Sequence, residues 1–481
     1  MHRRQLILGG AALALGTGPA LSAPVTARDL SLDLEIVRQA VSIHPGARRY
    51  LDESQLRAAQ AGFEAAYQSA ESLDGRFIAL SQFLARLRCG HTQVNFYNQS
   101  RAVEADLLDR RTRLPFLFVW MDGAMIVTAD HSGSRRLDPG TEILTVNGHP
   151  AGRILAEMMP YMRADGSNDG KRRDLLSVPG GEYHPTFDVF QSVFFPPLEG
   201  SFALTFRRPN GMTETVRVAA VDLNARRAMT PPPPPDDQPL WDWSVRPDGV
   251  VVLTMPTWVV YRGSWDWRGW LIERLDGLGD ASGLIIDIRG CEGGLSCGDP
   301  ILARLSNQDL ILDDYEPRVR FRRSPPEMDA YFEAYDPESR TLGMQGVDVG
   351  DGFIGYPPAR PADRIAAAGP RIPVRTAVLM DAANSSATFF FTARLKRLGL
   401  ARLFGETSGG NLKGINAGQI FFVRLPGSGL EFDLPLVGNF PTSLQPDEGV
   451  APDVRITCSA QDIAAGRDPV LSAAVDWIQR A

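Results

Sequence analysis

"RTAVLMDAANSSATFFFTARLKRLG", residues 375–399, passes from an apolar β-type run through a polar turn into an amphipathic helical pattern. Its two junction serines, Ser385 and Ser386, admit two readings. A hydroxyl there caps the free N–H groups of the helix, or it is a nucleophile held at a helix N-terminus. A second junction of the same kind lies upstream. "LIIDIRGCEGGLSCGD", residues 284–299, is an apolar strand followed by Gly290, Gly293 and Gly294. Such glycines let the chain turn sharply and bare its N–H groups to an anion or a developing oxyanion. The turn lacks the Lys-Ser/Thr end of a phosphate loop and the spacing of a dinucleotide fingerprint. As neighbouring parallel strands, the two would open their turns onto one crevice, where ligand sites of open α/β sheets lie.

The surrounding residues 241–481 alternate apolar strands ("GVVVLTMPTWV", "ARLFGE") with amphipathic helices such as "WDWRGWLIERLDGLGD". This pattern implies βα units around a buried sheet. "AGQIFFVRLPGSGLEFDLPLVG" reads as a β-hairpin and "DPVLSAAVDWIQR" as a closing helix. "TPPPPPDDQP" makes 230–240 an extended proline-rich linker. Ahead of it, residues 106–229 carry short β-type runs with Asn147-Gly148 and Asn210-Gly211 turn signals, a β-rich module. Residues 28–105 place apolar side chains at three-to-four spacing and read as a helical subdomain. The expected class is α/β within an α+β multidomain chain. Residues 1–27, "MHRRQLILGGAALALGTGPALSAPVTA", join Arg3 and Arg4 to a short apolar run and to small residues at Ala20, Ser22 and Ala23. That is the layout of a cleavable export signal, twin-arginine-like in its paired arginines, and the expected location is the periplasm.

Apolar content of 44% and charged content of 22% are those of a soluble globular protein. The formal charge of −7 becomes −9 once Arg3 and Arg4 leave with the signal, because the 57 acidic residues all remain. With no basic run there is no electrostatic footprint for nucleic acid. No second apolar stretch reaches membrane-spanning length, so no integral membrane segment is expected after signal removal. Cys89, Cys291, Cys297 and Cys458 are too few for a disulfide scaffold, although Cys291 and Cys297 are close enough in sequence to bridge. No CxxC or HExxH pattern occurs, and neither a metal nor another cofactor is expected.

A serine nucleophile requires a base. His2 leaves with the signal, His149 follows an Asn-Gly turn, His44 ends a helix before Pro45, and His131 and His184 sit in polar loops. His91, in "RCGHTQVNFY", lies between a helix and a β-type run beside a glycine, and is the leading candidate. The rival is a lysine, as in Ser-Lys hydrolases. Beyond Leu240 there are only Lys396, in a surface-patterned helix, and Lys413, in "GGNLKG".

Taken together, "GLIIDIRGCEGG", "NSSATFFFTARLKRLGLARLFGETSGGN" and "DEGVAPDVRI" resemble the core of the C-terminal processing peptidase and tricorn family of serine proteases. "LRCGHTQV" resembles the "DGHT" segment of the branch that uses histidine as base. "LDPGTEILTVNGHPAGRIL", residues 137–155, is similar to the strand, turn and helix of PDZ domains, making residues 106–229 a PDZ-like module. The resemblance implies a crotonase-like βα catalytic domain and an exported serine peptidase that acts on peptides or proteins through an acyl-enzyme. It places the nucleophile at Ser386, since "SATF" fits the family's Ser-Ala-Ser-Glu register with Phe389 replacing the acid. His91 becomes the base, and the amide of Ala387 pairs with that of Gly293 or Gly294 as the oxyanion hole. Lys413 is the alternative base, offset from the position used by the lysine branch, which is Asn411 here. Gly90 replaces the serine that precedes the histidine in tricorn-like members, so the third member is open among Glu448, Asp447 and Glu406. A bridge between Cys89 and Cys291, both in implied active-site segments, is a further expectation to examine. The same fold also serves noncatalytic apolar-ligand binding in the photoreceptor retinoid-binding protein, which is the alternative function.

Overall fold

The computed structural model describes residues 26–356 and 364–480. Residues 1–25 of the expected export signal lie outside the described residues. Three helices come first: α1 (Ala27–Ile43), α2 (Glu53–Ser69) and α3 (Leu73–Arg86). Thr26 and Asp52 open α1 and α2 with reciprocal capping boxes to Asp29 and Gln55. On α2, Leu56, Ala59, Phe63 and Tyr67 form the buried stripe that helical spacing predicts. The three helices do not close a core among themselves. Their apolar faces join Phe116, Phe118 and Phe206 of the next module and Phe421, Phe432 and Leu434 from the distant C-terminal hairpin.

The β-rich module is an antiparallel sheet of β1 (Phe116–Met121), β2 (Ala124–Asp130), β3 (Glu142–Val146), β4 (Ser201–Arg207) and β5 (Thr213–Ala219), in that order. Buried and open residues alternate along β4, as expected for a sheet with one wet face. After β3 the chain turns at Asn147-Gly148, both at positive φ, and enters α4 (Ala151–Met158). Two further helices, α5 (Asp169–Leu175) and α6 (Thr186–Phe194), precede β4. Inside the module Arg226 donates from Nε and Nη2 to the two carboxylate oxygens of Asp188 at 2.8 and 2.9 Å. The proline-rich segment forms no helix or strand, and it is fastened by Asp236, whose carbonyl accepts from the amides of Ser264 and Trp265.

The C-terminal sheet runs β6 (Asp242–Val245), β7 (Val250–Thr254), β8 (Gly283–Asp287), β9 (Thr376–Met380), β10 (Arg402–Gly405) and β11 (Val454–Arg455). Every pairing is parallel except β6 with β7. Alternate side chains serve opposite faces. Leu284, Ile286, Val378 and Met380 pack beneath α7 (Trp267–Asp276), α8 (Asp299–Leu305) and α9 (Ser386–Leu398), while Ile285, Ala377 and Leu379 pack on α10 (Pro469–Gln479). Burial on both faces explains why these strands read as unbroken apolar runs. The expected hairpin forms between Asn416–Arg424 and Glu431–Pro441.

Asp188 and Arg226 are both almost fully buried, and removing one partner of such a pair leaves an uncompensated charge. Asp188→Ala is expected to destabilise the protein by about 3–5 kcal/mol, seen as a lowered urea midpoint. A loss below about 0.5 kcal/mol, the range of ordinary surface substitutions, would show that the pair carries no such burden.

Candidate active site

The neighbouring parallel strands β8 and β9 pair from Leu284 opposite Thr376 to Asp287 opposite Leu379. The two turns that follow them therefore emerge side by side. Asn384, fully buried, joins them: its Nδ2 donates to the carbonyls of Ile288 (2.6 Å) and Cys291 (3.1 Å), and its Oδ1 accepts from the Asp381 amide at 2.8 Å. The Thr388 hydroxyl lies 3.0 Å from the same Cys291 carbonyl. Asp381 accepts from the Gly290 amide at 2.9 Å, and burial, with Asp174 nearby, raises its carboxyl to about 7.

Ser386 opens α9 but is not helical itself: its φ is +52°, in the left-handed region that side chains other than glycine seldom occupy. Such strain persists only where surrounding contacts hold it and is a pointer to function. Gly293, at φ +110°, lies against it. A Cβ there would fall 3.0 Å from the Ser386 Cβ and 2.9 Å from the Ala387 nitrogen. The N–H of Gly293 faces the sulfur of Cys291, a thiol that burial pushes up to about 12. The amides of Gly294 and Ala387 donate to no acceptor among the described residues. Ala387 follows Ser386 directly, and Gly294 follows the Gly293 that lies against it. Ser385 does not cap α9; its hydroxyl donates to the Glu292 carbonyl at 3.1 Å and pins the glycine turn.

His91 follows α3 in a segment fastened from both sides. His44 Nε2 lies 2.9 Å from the Thr92 hydroxyl, with its Nδ1 accepting from the Gly46 amide, so Nε2 carries the proton. Asp433 donates its amide to the Gln93 carbonyl at 2.9 Å, and Asn95 donates to the carboxylates of Glu431 and Asp433. Burial, the nearby Arg163 and, more weakly, Lys171 push His91 down to about 4, with Glu292 pulling the other way. Its Nδ1 is buried without a hydrogen-bond partner. No hydrogen bond joins His91 to Ser386 among the described residues.

Lys413 places Nζ 5.1 Å from the ring centroid of Tyr50, and its amide donates to Asn411 Oδ1. Glu448 is exposed, while Asp447 accepts from Ser167 and from Asn411 Nδ2 at 2.7 Å. Glu406 follows β10 and faces the charges of Arg455 and Arg173, with its carboxyl raised chiefly by burial. None of the three hydrogen-bonds His91. Neither suggested disulfide forms, and all four cysteines are free thiols.

Several residues around the site were not singled out in the sequence. Asp165, buried, accepts from the Gly90 amide at 2.9 Å, and burial raises its carboxyl to about 6. Arg163, Lys171 and Glu292 form an ion cluster beside the glycine turn. A signal for them existed only in Glu292, which sits inside the quoted "GCEGG". Beside the cluster a cavity of about 340 Å³ is lined by Gln93, Tyr97, Arg163, Glu182, Glu292 and Ala383 among others, so it adjoins all three site segments.

Residues 249–456 match the model of Peptidase family S41. The match makes this stretch similar to peptidase family S41 and supports a serine-type peptidase. The noncatalytic reading gives way to it. Among solved structures, mature CPAF complexed with lactacystin is similar at 17% identity and a TM-score of 0.62, over 94% of this chain and 97% of that one. A crystal structure of a serine-to-alanine mutant of CPAF is similar at 16% identity and a TM-score of 0.63, over 93% and 96% of the two chains. At such identity the likeness is one of fold. No curated protein matches the chain.

Gly293→Ala tests the contact at Ser386. The added methyl meets Ser386 in a backbone conformation that alanine resists. Peptide cleavage is expected to fall by about 10²-fold, the usual result of displacing a reacting group by about 1 Å, with the fold retained. Wild-type turnover would show that the turn is not part of the reacting centre.

Proposed function

We propose that the chain is an exported serine peptidase in which Ser386 is the nucleophile and His91 the base. The observation that carries this reading is the contact of Gly293 with a conformationally strained Ser386 at the mouth of two parallel strands. Ser386 Oγ attacks the peptide carbonyl carbon as its proton passes to His91. The developing oxyanion is received by the free amides of Gly294 and Ala387. His91 then gives the proton to the leaving amine as the C–N bond breaks, and water hydrolyses the acyl-enzyme by the same route. A neutral imidazole is the form a base requires, and the depressed His91 keeps it neutral. Lys413, turned onto Tyr50, is the weaker candidate. Peptides or proteins would be the substrates, and the PDZ-like module would hold a peptide end by strand addition. Export to the periplasm rests on the sequence pattern of residues 1–27.

His91→Ala is expected to lower kcat by roughly 10²–10⁴-fold, the usual worth of a general base, and Lys413→Ala to leave it nearly unchanged. Loss confined to the lysine variant would reverse the assignment. The pH profile is a second check. A base whose protonation falls near 4 stays active well below the ordinary histidine value of 6.5. The acid limb of kcat/KM is expected near pH 4, with activity lost as pH drops through it. A limb near 6.5 would mean that His91 is not held neutral by its surroundings.

A further inference from the structure

Three chain segments meet at the site, and two cations from outside the C-terminal sheet join them. Arg163 donates from Nε to Gln93 Oε1 at 2.7 Å and from Nη1 to the Gly90 carbonyl at 2.6 Å, so it grips the chain on both sides of His91. Its Nη2 reaches both carboxylate oxygens of Glu292, at 3.2 and 3.1 Å. Lys171, on α5, donates to the same carboxylate and to the carbonyl of Ala383 at 3.1 Å, three residues ahead of Ser386. Glu292 lies between Cys291 and Gly293 in the glycine turn. One carboxylate thus takes a guanidinium from the base side and an amine from the nucleophile side. Lys171 is 1% exposed and Arg163 16%, whereas Glu292 keeps 46% of its side chain open to the cavity. A lysine so deep is rare unless it is paired, and exposed ion pairs of little worth do not describe this one. Against the cost of burial, Arg163 and Lys171 hold the Glu292 carboxyl well below the usual carboxylate range.

We propose that Arg163 and Lys171 are positioning residues of the peptidase reaction, which through Glu292 hold the His91 segment, the Gly293–Gly294 turn and the Ser386 segment in one arrangement. The inference rests on the peptidase reading above. Neither cation touches the reacting atoms; each fixes groups that do. Misplacement by about 1 Å is enough to cost about 10² in rate, so a fork that fixes the chain on both sides of a catalytic ring has catalytic weight. Lys171 is itself no rival base, because its amine is engaged by Glu292, Asp174 and the Ala383 carbonyl.

Arg163→Gln and Glu292→Gln, made in the full chain and checked for folding by near-ultraviolet circular dichroism, test this. In each, kcat is expected to fall about a hundredfold while KM changes little, the signature of groups that matter in the transition state. The acid limb supplies a readout that a purely structural role would not move. The charged groups facing His91 are Arg163, Lys171 and Glu292; the two cations disfavour the imidazolium and the carboxylate favours it. Arg163→Gln is therefore expected to move the limb to higher pH and Glu292→Gln to lower pH. Arg163→Lys keeps the charge but loses the fork, so it should lose kcat with the limb in place. It also carries the test if Glu292→Gln does not fold. Wild-type kcat in folded Arg163→Gln overturns the inference and leaves Ser386 and His91 as assigned. A wild-type chain that cleaves no peptide overturns both.

Discussion

The parallel register of β8 on β9 is the constraint from which the site follows. Because Asp287 ends one strand opposite Leu379 of the other, the glycine turn and the serine turn leave the sheet at one level. They can then be stitched by a single buried asparagine, Asn384, and by Thr388. Those bonds hold Ser386 in a conformation that costs on the order of 1–3 kcal/mol. Gly293 completes the contact, since its neighbourhood leaves no room for a side chain.

The proposed base, His91, comes from the other end of the chain, where three elements seat its segment. The N-terminal helices, the β-rich module and the C-terminal hairpin share one apolar core, which gives the His91 segment a fixed seat. Polar contacts then set its register: His44 on Thr92, the Asp433 amide on Gln93, and Asp165 on Gly90. The same surroundings press His91 toward its neutral form, because burial and Arg163 both disfavour the imidazolium.

What the sequence disclosed was what local pattern encodes. The apolar runs of β8 and β9, the glycines at 290, 293 and 294, and the serine at the head of α9 each carry a period or a residue type with one physical use. The ion cluster was hidden because Arg163 and Lys171 stand in "MRADGSNDGKRRD", which reads as solvated surface. Only the folding of that segment onto the glycine turn buries Lys171. Ser385 misled for a similar reason, since a hydroxyl beside a helix start suggests a cap, whereas its partner is the carbonyl of Glu292 in another turn. The N-terminal helices looked self-contained because periodicity reveals which face is apolar and not what covers it. Part of their cover comes from residues beyond position 420.

The central claim is that Ser386 is the reactive hydroxyl. Labelling the folded chain with a fluorophosphonate probe and mapping the adduct by mass spectrometry addresses it directly, because only an activated serine is modified rapidly. The adduct is expected on Ser386 and is expected to disappear in Ser386→Ala. An adduct on Ser385, or an unlabelled wild-type chain that is correctly folded, would contradict it.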